Sequence, residues 1–261
     1  MGTWVVKYGG SVAGETADLL TEVARMAGEG ERIAVVHGGG PEITHFLARI
    51  GHASSFVGGQ RVTDDVTLDV AEMVLAGRVG KRIVRALQRA GAQAVGLSGE
   101  DGELMRAELY DASGALGRVG RVAAVRACLV ELLFEAGYVP VIAPLGIGPD
   151  DQPLNINADF AAGALAGALG ADAFVLATDV PGVKESAQAR QAIPELSAQK
   201  ARGMIRSGAI AGGMIPKVEA ALAAVEAGAG EAHIVDGRRP GILAALRRGE
   251  NAGTKIVHVR A

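Results

Sequence analysis

The sequence lacks several features that would assign it to other classes of protein. It contains a single cysteine, Cys128, in 261 residues, which excludes an internal disulfide and indicates a reducing compartment. No apolar run approaches the roughly 20 residues of a membrane-spanning helix, and the run near the N-terminus is too short for a signal peptide. The formal net charge of −3 gives no reason to expect nucleic acid or an anionic membrane as a partner. A soluble cytoplasmic protein is therefore expected.

Short apolar runs alternate with segments of helical spacing along almost the whole chain. Because these runs are continuously apolar, they predict strands that are buried on both faces, and hence an α/β fold with a mainly parallel sheet covered by helices. The predicted strands are residues 3–7, 32–37, 92–97, 138–144, 172–178, 231–235 and 254–259. The predicted helices are residues 15–28, 41–51, 65–90, 122–136, 158–169, 197–207 and 216–228.

Two segments, residues 53–63 and 104–121, interrupt this alternation. Within the second, the stretch YDASGALG at 110–117 is typical of a hairpin turn between exposed strands. Near residues 170–172 a predicted helix ends and a new strand begins. This point is the predicted boundary between two lobes.

Glycine-rich loops follow the first two predicted strands. The first is KYGGS at 7–11, and the second is HGGGPEITHF at 37–46, which opens a predicted helix. Neither matches the P-loop or the G-x-G-x-x-G dinucleotide pattern, and each alone is consistent with a structural turn. In an open α/β sheet, however, ligands bind beyond the carboxyl ends of strands, and glycines let backbone N–H groups approach phosphate oxygens. Two such loops, together with the charge of Lys7, favour an anion site.

An arginine lies in the irregular, glycine-containing segment GGQRVTDD at 58–65. The planar guanidinium of Arg61 is suited to hold a carboxylate through two parallel hydrogen bonds. The alternative is a surface ion pair with Asp64 or Asp65, and the segment alone leaves both open.

The polar run NINAD at 155–159 precedes an apolar predicted helix. Asn157 is a candidate N-cap, and Asp159 suits the positive end of the helix, so capping explains part of this pattern. Asn155 is left free to hold a carboxylate through its amide.

A lysine stands near the start of the predicted helix in GGMIPKVEAALAAVEAG, residues 212–228. Pro216 suits the first helical position, which agrees with a solvated Lys217 in the first turn. A helix N-terminus disfavours a cation, however, unless an anion lies beside it, and free N–H groups at that end already attract anions. Both interpretations of Lys217 stay open at this point.

Considered together, the motifs KYGG, HGGGP, RVTD, VGLSGEDG, NINAD, ATDVPGV and GGMIPKVEAA occur in this order over almost the whole chain. The set resembles the amino acid kinase family, and within it the members that use ATP to phosphorylate the γ-carboxylate of N-acetyl-L-glutamate in arginine biosynthesis. The resemblance implies a three-layer α/β/α sandwich around a mainly parallel sheet of about eight strands. It also implies an N-terminal lobe, residues 1–171, that binds the acyl acceptor and forms the dimer, and a C-terminal lobe, residues 172–261, that binds ATP.

Carried over position by position, the resemblance implies a set of site residues. The two lysines would flank the transferring phosphoryl group, the aspartate would orient both, and the glycine loops would offer backbone N–H groups. The implied catalytic residues are Lys7, Lys217 and Asp159, the acceptor-binding residues are Gly39, Gly40, Arg61 and Asn155, the phosphate-binding residue is Gly10, and the nucleotide-binding residues are Thr178, Asp179, Gly182, Ala209, Gly212, Gly213 and Met214.

The chemistry of this reaction agrees with what the sequence offers. A carboxylate is already an anionic nucleophile, so the enzyme has to bring two anions together and stabilise charge, and a general base is unnecessary. Mg²⁺ is expected with ATP and would be held mainly by phosphates and water, so no protein ligand is assigned to it. His37 is interpreted as a structural residue at a strand end, and VGLSGEDG is given no catalytic role.

Alternatives remain for the acceptor and for the class. Gln60 departs from the usual family pattern where the acetyl group binds, so a sister kinase acting on a carrier-linked aminoadipate or glutamate is the alternative within the family. A nicotinamide-dependent oxidoreductase lacks the expected acidic residue after a G-x-G-x-x-G run. An amino-acid sensor on the same fold would tolerate loss of a lysine, whereas Lys7, Asp159 and Lys217 are all present.

The start of the chain carries an expectation about assembly. Relatives inhibited by arginine resemble this chain but have an extra N-terminal helix, whereas only Met1 and Gly2 precede the first predicted strand here. Two residues cannot form a helical turn. We therefore expect a homodimer insensitive to L-arginine, with a two-fold interface from a helix within residues 65–90 and its neighbouring strand.

Overall fold

The computed structural model describes residues 1–9, 17–186, 189 and 191–257. The strands are β1 Thr3–Tyr8, β2 Arg32–His37, β3 Phe56–Val57, β4 Gln60–Arg61, β5 Ala94–Ser98, β6 Met105–Leu109, β7 Val119–Val125, β8 Val139–Ala143, β9 Leu145–Ile147, β10 Pro153–Ile156, β11 Ala173–Thr178, β12 Glu195–Ser197, β13 Glu231–Asp236 and β14 Gly253–Val257. The α-helices are α1 Ala17–Gly28, α2 Gly40–Arg49, α3 Asp65–Glu72, α4 Gly80–Arg89, α5 Cys128–Glu135, α6 Ala158–Ala168, α7 Ala198–Arg206, α8 Met214–Glu226 and α9 Ile242–Arg247. A π-helical segment, Met73–Val79, joins α3 to α4.

An eight-stranded sheet forms the centre of the molecule, in the order β12-β14-β13-β11-β1-β2-β8-β5. Every neighbouring pair is parallel except β13 and β14, which are antiparallel. The continuous apolar runs are buried as expected, because parallel strands covered on both faces have no solvent side. The predicted α/β fold with a mainly parallel sheet is therefore confirmed.

Helices cover both faces of this sheet and give the molecule three layers. Successive residues of a strand point to opposite faces, so Val6 packs in one core with α1, α4 and α9, whereas Val5 packs in the other with α5, α6 and α8. All seven predicted strands lie in the sheet, and β12, with only three residues, is the eighth. Of the helices in the described part of the chain, none is long and apolar enough to cross a membrane.

The predicted helix at 122–136 is wrong in its first part. Residues 119–125 form β7, which pairs antiparallel with β6, and the helix α5 begins only at Cys128. The run VAAV fits either spacing, and pairing with two neighbouring strands decides for the strand. β6 and β7 enclose the predicted hairpin turn, and with β9 and β10 they form a small closed barrel.

Two further differences concern helices. The helical pattern at 65–90 is interrupted by the π-helical segment, and α9 was not predicted because it is only six residues long. The first two residues of the predicted helix 15–28 and the last two of the predicted strand 254–259 lie outside the described residues. The lobe boundary near 170–172 stays a prediction, since β11 pairs directly with β1 and the sheet continues across it.

Candidate active site

Two helices that run side by side bring their N-termini together at the carboxyl edge of the sheet. α6 and α8 approach closely because glycines of α6 face α8: a Cβ at Gly163 would lie 2.7 Å from the Ala220 carbonyl oxygen, and one at Gly167 would lie 2.5 Å from Ala227 Cβ. Helix N-termini present free N–H groups and a partial positive charge. This edge of the sheet is therefore suited to bind anions.

Lys7, Asp159 and Lys217 form a compact cluster at this edge. Lys7 is on β1 one residue before its end, Asp159 is in the first turn of α6, and Lys217 is in the first turn of α8. Asp159 Oδ1 lies 2.8 Å from Lys7 Nζ, and Asp159 Oδ2 lies 2.9 Å from Lys217 Nζ. One carboxylate thus holds two ammonium groups, as the sequence predicted for these three residues.

Burial and neighbouring charges oppose each other in this cluster. Burial lowers the pKa of Lys7, and Lys217 lowers it further, while the carboxylates of Asp159 and Asp179 raise it in part. Burial raises the pKa of Asp159, but the two lysines reverse this effect, so its pKa lies below the usual value. The aspartate is therefore an anion at neutral pH, and the cluster keeps a net positive charge while both lysines are protonated.

The first turn of α8 differs from the sequence prediction in one respect. The helix begins at Met214, with Gly213 as the N-cap, so Pro216 is the third helical residue and not the first. A proline is tolerated there because the first four N–H groups of a helix have no partner within it. The ion pair with Asp159 explains why Lys217 is found at a helix end that disfavours cations.

A polar cavity of about 200 Å³ opens beside this cluster. Its lining residues are Gly39, Gly40, Ile43, Phe56, Gly59, Gln60, Arg61, Leu75, Val119, Pro144, Asn155, Ile156, Asn157 and Ala158. The four predicted acceptor-binding residues all belong to this lining. We call it the acceptor cavity.

Arg61 is fixed in the acceptor cavity by several contacts. Its Nη1 donates to Ser54 Oγ at 2.6 Å, and its Nη2 donates to Gly40 O at 2.9 Å and to Thr44 Oγ1 at 2.8 Å. Its guanidinium also lies 4.6 Å from the ring centre of Phe56. These contacts leave part of the guanidinium to face a ligand, since it has five N–H donors.

The alternative interpretation of Arg61 as a surface ion pair is wrong. Arg61 is buried, Asp64 caps α3 and pairs with His52, and Asp65 lies near Arg118. Among the residues that the structure describes, the contacts of this buried guanidinium are all with neutral groups, which favours an anionic ligand as its counter-ion.

Asn157 caps α6 as predicted, and the acceptor-binding role of Asn155 stays a prediction. Asn157 Oδ1 accepts from the backbone N–H of Asp159 at 2.8 Å and so caps α6. Asn155 Nδ2 donates to Thr63 Oγ1 at 3.1 Å, and Thr63 Oγ1 in turn donates to Arg61 O at 2.9 Å. The cavity wall at Asn155 is thereby linked to the Arg61 segment.

The glycine loop after β2 is shaped by its neighbours. A Cβ at Gly39 would lie 2.6 Å from Leu75 Cδ2 of the π-helical segment, so a side chain at this position would require the buried Leu75 to shift. His37 is fully buried, and its Nδ1 lies 3.1 Å from Gly38 O. This agrees with a structural role for His37 and leaves the cavity side of the loop as bare backbone.

A second, larger pocket of about 590 Å³ includes Met214, the first residue of α8, in its wall. Its walls are Val180, Gly182, Val183, Lys184, Glu185, Ser186, Ser207, Gly208, Ala209, Ile210, Ala211 and Met214. Its volume falls in the range of roughly 300–1,000 Å³ typical of small-molecule sites. We call it the large pocket.

Three predicted nucleotide-binding residues line the large pocket, namely Gly182, Ala209 and Met214. Thr178 and Asp179 are not in the pocket lining but directly precede Val180, which is, and Thr178 Oγ1 donates to Asp179 Oδ1 at 3.1 Å. Gly212 and Gly213 precede α8 and are not in the pocket lining. Gly10 lies outside the described residues.

Sequence reasoning missed several lining groups. Ser54 and Thr44 fix Arg61, Leu75 packs against the glycine loop, and Lys184 and Ser207 line the large pocket. The glycine pair before Arg61 could have indicated the turn between β3 and β4, but Ser54 and Thr44 belong to other segments, and no motif links them to Arg61. In the ranges that the structure covers, no three His, Cys, Asp or Glu side chains are grouped so that they could hold a metal ion.

Asp159 at the start of one helix thus holds a lysine of the neighbouring strand β1 and a lysine at the start of the adjacent helix. Such a site, next to one small cavity and one larger pocket, is suited to bring anions together, as phosphotransferases do. Comparison with known proteins identifies the family. The model of the amino acid kinase family matches residues 2–236, and the chain belongs to that family.

Individual relatives are similar over most of their length. The chain is 44% identical over 259 residues to an acetylglutamate kinase of Syntrophomonas wolfei, covering 97% of this chain and 90% of the relative. It is 46% identical over 256 residues to an acetylglutamate kinase of a Jannaschia species, covering 97% and 88%. A carbamate kinase from Giardia lamblia bound to AMP-PNP has the same fold, with a TM-score of 0.75, 18% identity and 99% of both chains covered.

Proposed function

We propose that this protein transfers the γ-phosphoryl group of ATP to the γ-carboxylate of N-acetyl-L-glutamate, giving N-acetyl-L-glutamyl 5-phosphate and ADP in arginine biosynthesis. The observation that carries this proposal is the cluster of Lys7, Asp159 and Lys217 between two cavities of different chemistry. Ala158, next to Asp159, lines the acceptor cavity, and Met214, one turn before Lys217, lines the large pocket.

The acceptor cavity supplies the groups that a dicarboxylate requires. The α-carboxylate would bind to the remaining donors of Arg61 and to the amide of Asn155. The γ-carboxylate would then point to the backbone N–H groups of Gly39 and Gly40 and to the lysine cluster. This arrangement would hold the nucleophile near the phosphorus without a base, since a carboxylate needs none.

The transferred phosphoryl group would lie between Lys7 and Lys217. An oxygen of the γ-carboxylate attacks the γ-phosphorus while the bond from that phosphorus to the β,γ-bridging oxygen breaks, and ADP leaves with that oxygen. Negative charge grows on the oxygens of the phosphoryl group, and two ammonium groups already fixed by Asp159 stabilise it without reorganisation. The nucleotide would occupy the large pocket as MgATP, with the ion held by phosphate oxygens and water.

The relatives support the acceptor as well as the reaction. Those at 44% and 46% identity are acetylglutamate kinases, and the matches extend over 97% of this chain. A carrier-linked acceptor is not favoured by these relatives. We further propose, as expected from the sequence, that residues 1–171 bind the acceptor and residues 172–261 bind the nucleotide, in the cytoplasm.

The proposal is tested by trapping the product. The protein is incubated with MgATP, hydroxylamine and one of several acceptors, and the hydroxamate formed from the acyl phosphate is measured. N-acetyl-L-glutamate should give a hydroxamate, and free glutamate or aspartate should give little. Equal or faster turnover of another acceptor would move the assignment to a sister kinase.

We also propose a homodimer. The segment expected at the interface exposes Val66 and Met73, and β5 is an edge strand of the sheet. Exposed apolar side chains and an unpaired strand edge both favour association. Light scattering measures the mass, which should be twice 26.5 kDa. The expected insensitivity to L-arginine stays a prediction, and the same hydroxamate assay measures it.

A further inference from the structure

A turn after β13 carries an arginine that the reaction described above does not use. Arg238 lies two residues beyond the end of the strand and faces back towards it. Its Nε and Nη2 each lie 2.9 Å from a different oxygen of Asp236, and Asp236 Oδ1 also accepts from the backbone N–H of Arg238 at 3.0 Å. The carboxylate thus fixes both the turn and the plane of the guanidinium.

The same guanidinium reaches the neighbouring strand. Its Nη2 donates to the backbone carbonyl of Asp179 at 2.7 Å, just after the end of β11. The residues just before these two, Gly237 and Thr178, are also joined, because Gly237 N donates to Thr178 O at 2.8 Å. Arg238 therefore connects the turn after β13 to the segment Thr178–Val180.

The segment that Arg238 holds lies between the two parts of the candidate active site. β11 pairs in parallel with β1, so that Ala177 is opposite Tyr8, and Asp179 follows at the edge where the lysine cluster lies. The carboxylate of Asp179 raises the pKa of Lys7, in line with this position. On the other side, Val180 is part of the wall of the large pocket.

We propose that Arg238 is a positioning residue for nucleotide binding: by bridging the Asp236 carboxylate and the Asp179 carbonyl, it holds the segment Thr178–Val180 in the conformation that receives the nucleotide. This inference rests on the proposed function, in which the nucleotide occupies the large pocket. Arg238 acts through Asp179 and Val180 and leaves the acceptor cavity unaffected.

The geometry requires an arginine at this position. One planar guanidinium spans two acceptors, the carboxylate of Asp236 at the end of β13 and the carbonyl of Asp179 just after β11, and Asp236 holds it in plane through two donors. A lysine ammonium is a compact charge with no such fork, so it would keep the ion pair with Asp236 but lose the bridge. Arg238 therefore contributes to nucleotide binding through the shape of its guanidinium, and the positive charge of a lysine alone should not restore that binding.

The test compares Arg238→Ala with Arg239→Ala, a matched control in which the next residue, an exposed arginine, loses the same charge. Because the Arg238 side chain is 41% exposed, solvent weakens its contacts, and we expect Arg238→Ala to raise the KM for MgATP about 5-fold, with the acceptor KM unchanged. The Kd of AMP-PNP, measured by calorimetry, should rise by the same factor. Arg239→Ala should change neither constant by more than about twofold.

Two more variants distinguish positioning from charge and from folding. Arg238→Lys should bind AMP-PNP as weakly as Arg238→Ala, and restored affinity in Arg238→Lys would overturn the bridging role. Asp236→Asn keeps Arg238 but removes the carboxylate that fixes it, so this variant should also weaken nucleotide binding. It provides the test if Arg238→Ala does not fold. Wild-type nucleotide affinity in a folded Asp236→Asn or Arg238→Ala variant would refute the inference. A wild-type protein that does not bind AMP-PNP would instead refute the proposed function, and this inference with it.

Discussion

The acceptor cavity and the large pocket share one edge of the sheet but differ in size and in the kind of group that lines them. The acceptor cavity has a volume of about 200 Å³ and contains Arg61, whose position is fixed by Ser54, Thr44 and Gly40. The large pocket, about 590 Å³, is lined by small and apolar residues such as Val183 and Met214, together with Lys184 and Glu185. The acceptor cavity is thus distinguished by its smaller size and by one guanidinium whose position is fixed.

This difference indicates how each substrate would be selected. A site with buried polar donors strongly rejects a ligand that leaves them unpaired, whereas an apolar pocket discriminates weakly between ligands of similar shape. Acceptor choice should therefore depend on single residues such as Arg61. Nucleotide binding should depend on backbone conformation around the large pocket.

The largest effect is expected where the two sites meet. Lys217→Ala and Lys7→Ala should each lower kcat by roughly 100-fold or more, because each removes a preorganised charge from the transferring phosphoryl group. Arg32→Ala, which removes an exposed charge at the opposite end of β2, is the control and should leave kcat unchanged. Steady-state kinetics measure this. A lysine variant with wild-type kcat would show that the cluster is structural.

Arg61 should separate the two sites kinetically. Arg61→Ala should raise the acceptor KM by roughly 10- to 100-fold, since a charged hydrogen-bond partner of the α-carboxylate is lost, and leave the KM for MgATP unchanged. Arg61→Lys should recover only part of the loss, because the fork is missing. An acceptor KM that stays at the wild-type value would exclude the role of Arg61 as a carboxylate clamp.

The buried His37, which lies beside the glycine loop of the acceptor cavity, should make the folded protein less stable in acid. Burial lowers its pKa from 6.5 to about 4, so the unfolded chain binds more protons than the folded one between these values, and the free energy of unfolding falls as the pH falls through this window. The loss from His37 between pH 7 and pH 5 should be about 2 kcal/mol. Urea unfolding of the wild type and of His37→Phe measures it. The variant should lose correspondingly less stability on acidification, and an identical loss in both proteins would contradict the assignment.

Gln60 should give the smallest effect. It is half-buried in the lining of the acceptor cavity, and the guanidinium of Arg61 bonds to Ser54, Gly40 and Thr44 and not to the Gln60 side chain in the described part of the chain. Gln60→Leu should change the acceptor KM by only a few-fold, the size of one uncharged hydrogen bond. The hydroxamate assay with N-acetyl-L-glutamate and with free glutamate measures this. A change of preference to another acceptor would make Gln60 a main determinant of specificity.

The sheet could be predicted from the sequence because parallel strands buried on both faces are continuously apolar, as in β1 and β11. β12 could not be predicted, since a three-residue strand is too short to show a pattern. The helix predicted for residues 122–125 was wrong because VAAV fits both helical and strand spacing. Only the pairing of β7 with β6 shows that these residues form a strand.

The lysine cluster could be predicted because Lys7, Asp159 and Lys217 each belong to a motif of the family. The partners of Arg61 could not, because Ser54 and Thr44 meet it only through the folding of the chain around the cavity. The position of Pro216 was also wrong, since the helix begins two residues earlier than a proline start would suggest.

The most direct test of the proposed reaction follows the oxygen of the acceptor. N-acetyl-L-glutamate labelled with ¹⁸O at both γ-carboxylate oxygens is incubated with MgATP and hydroxylamine, and the phosphate released from the trapped acyl phosphate is examined by ³¹P NMR. Attack of the γ-carboxylate on the γ-phosphorus places one labelled oxygen between carbon and phosphorus, and hydroxylamine then cleaves the carbon–oxygen bond. The account predicts phosphate with one ¹⁸O, formed together with the hydroxamate. Unlabelled phosphate without hydroxamate would contradict it, because the phosphoryl group would then have been transferred to water.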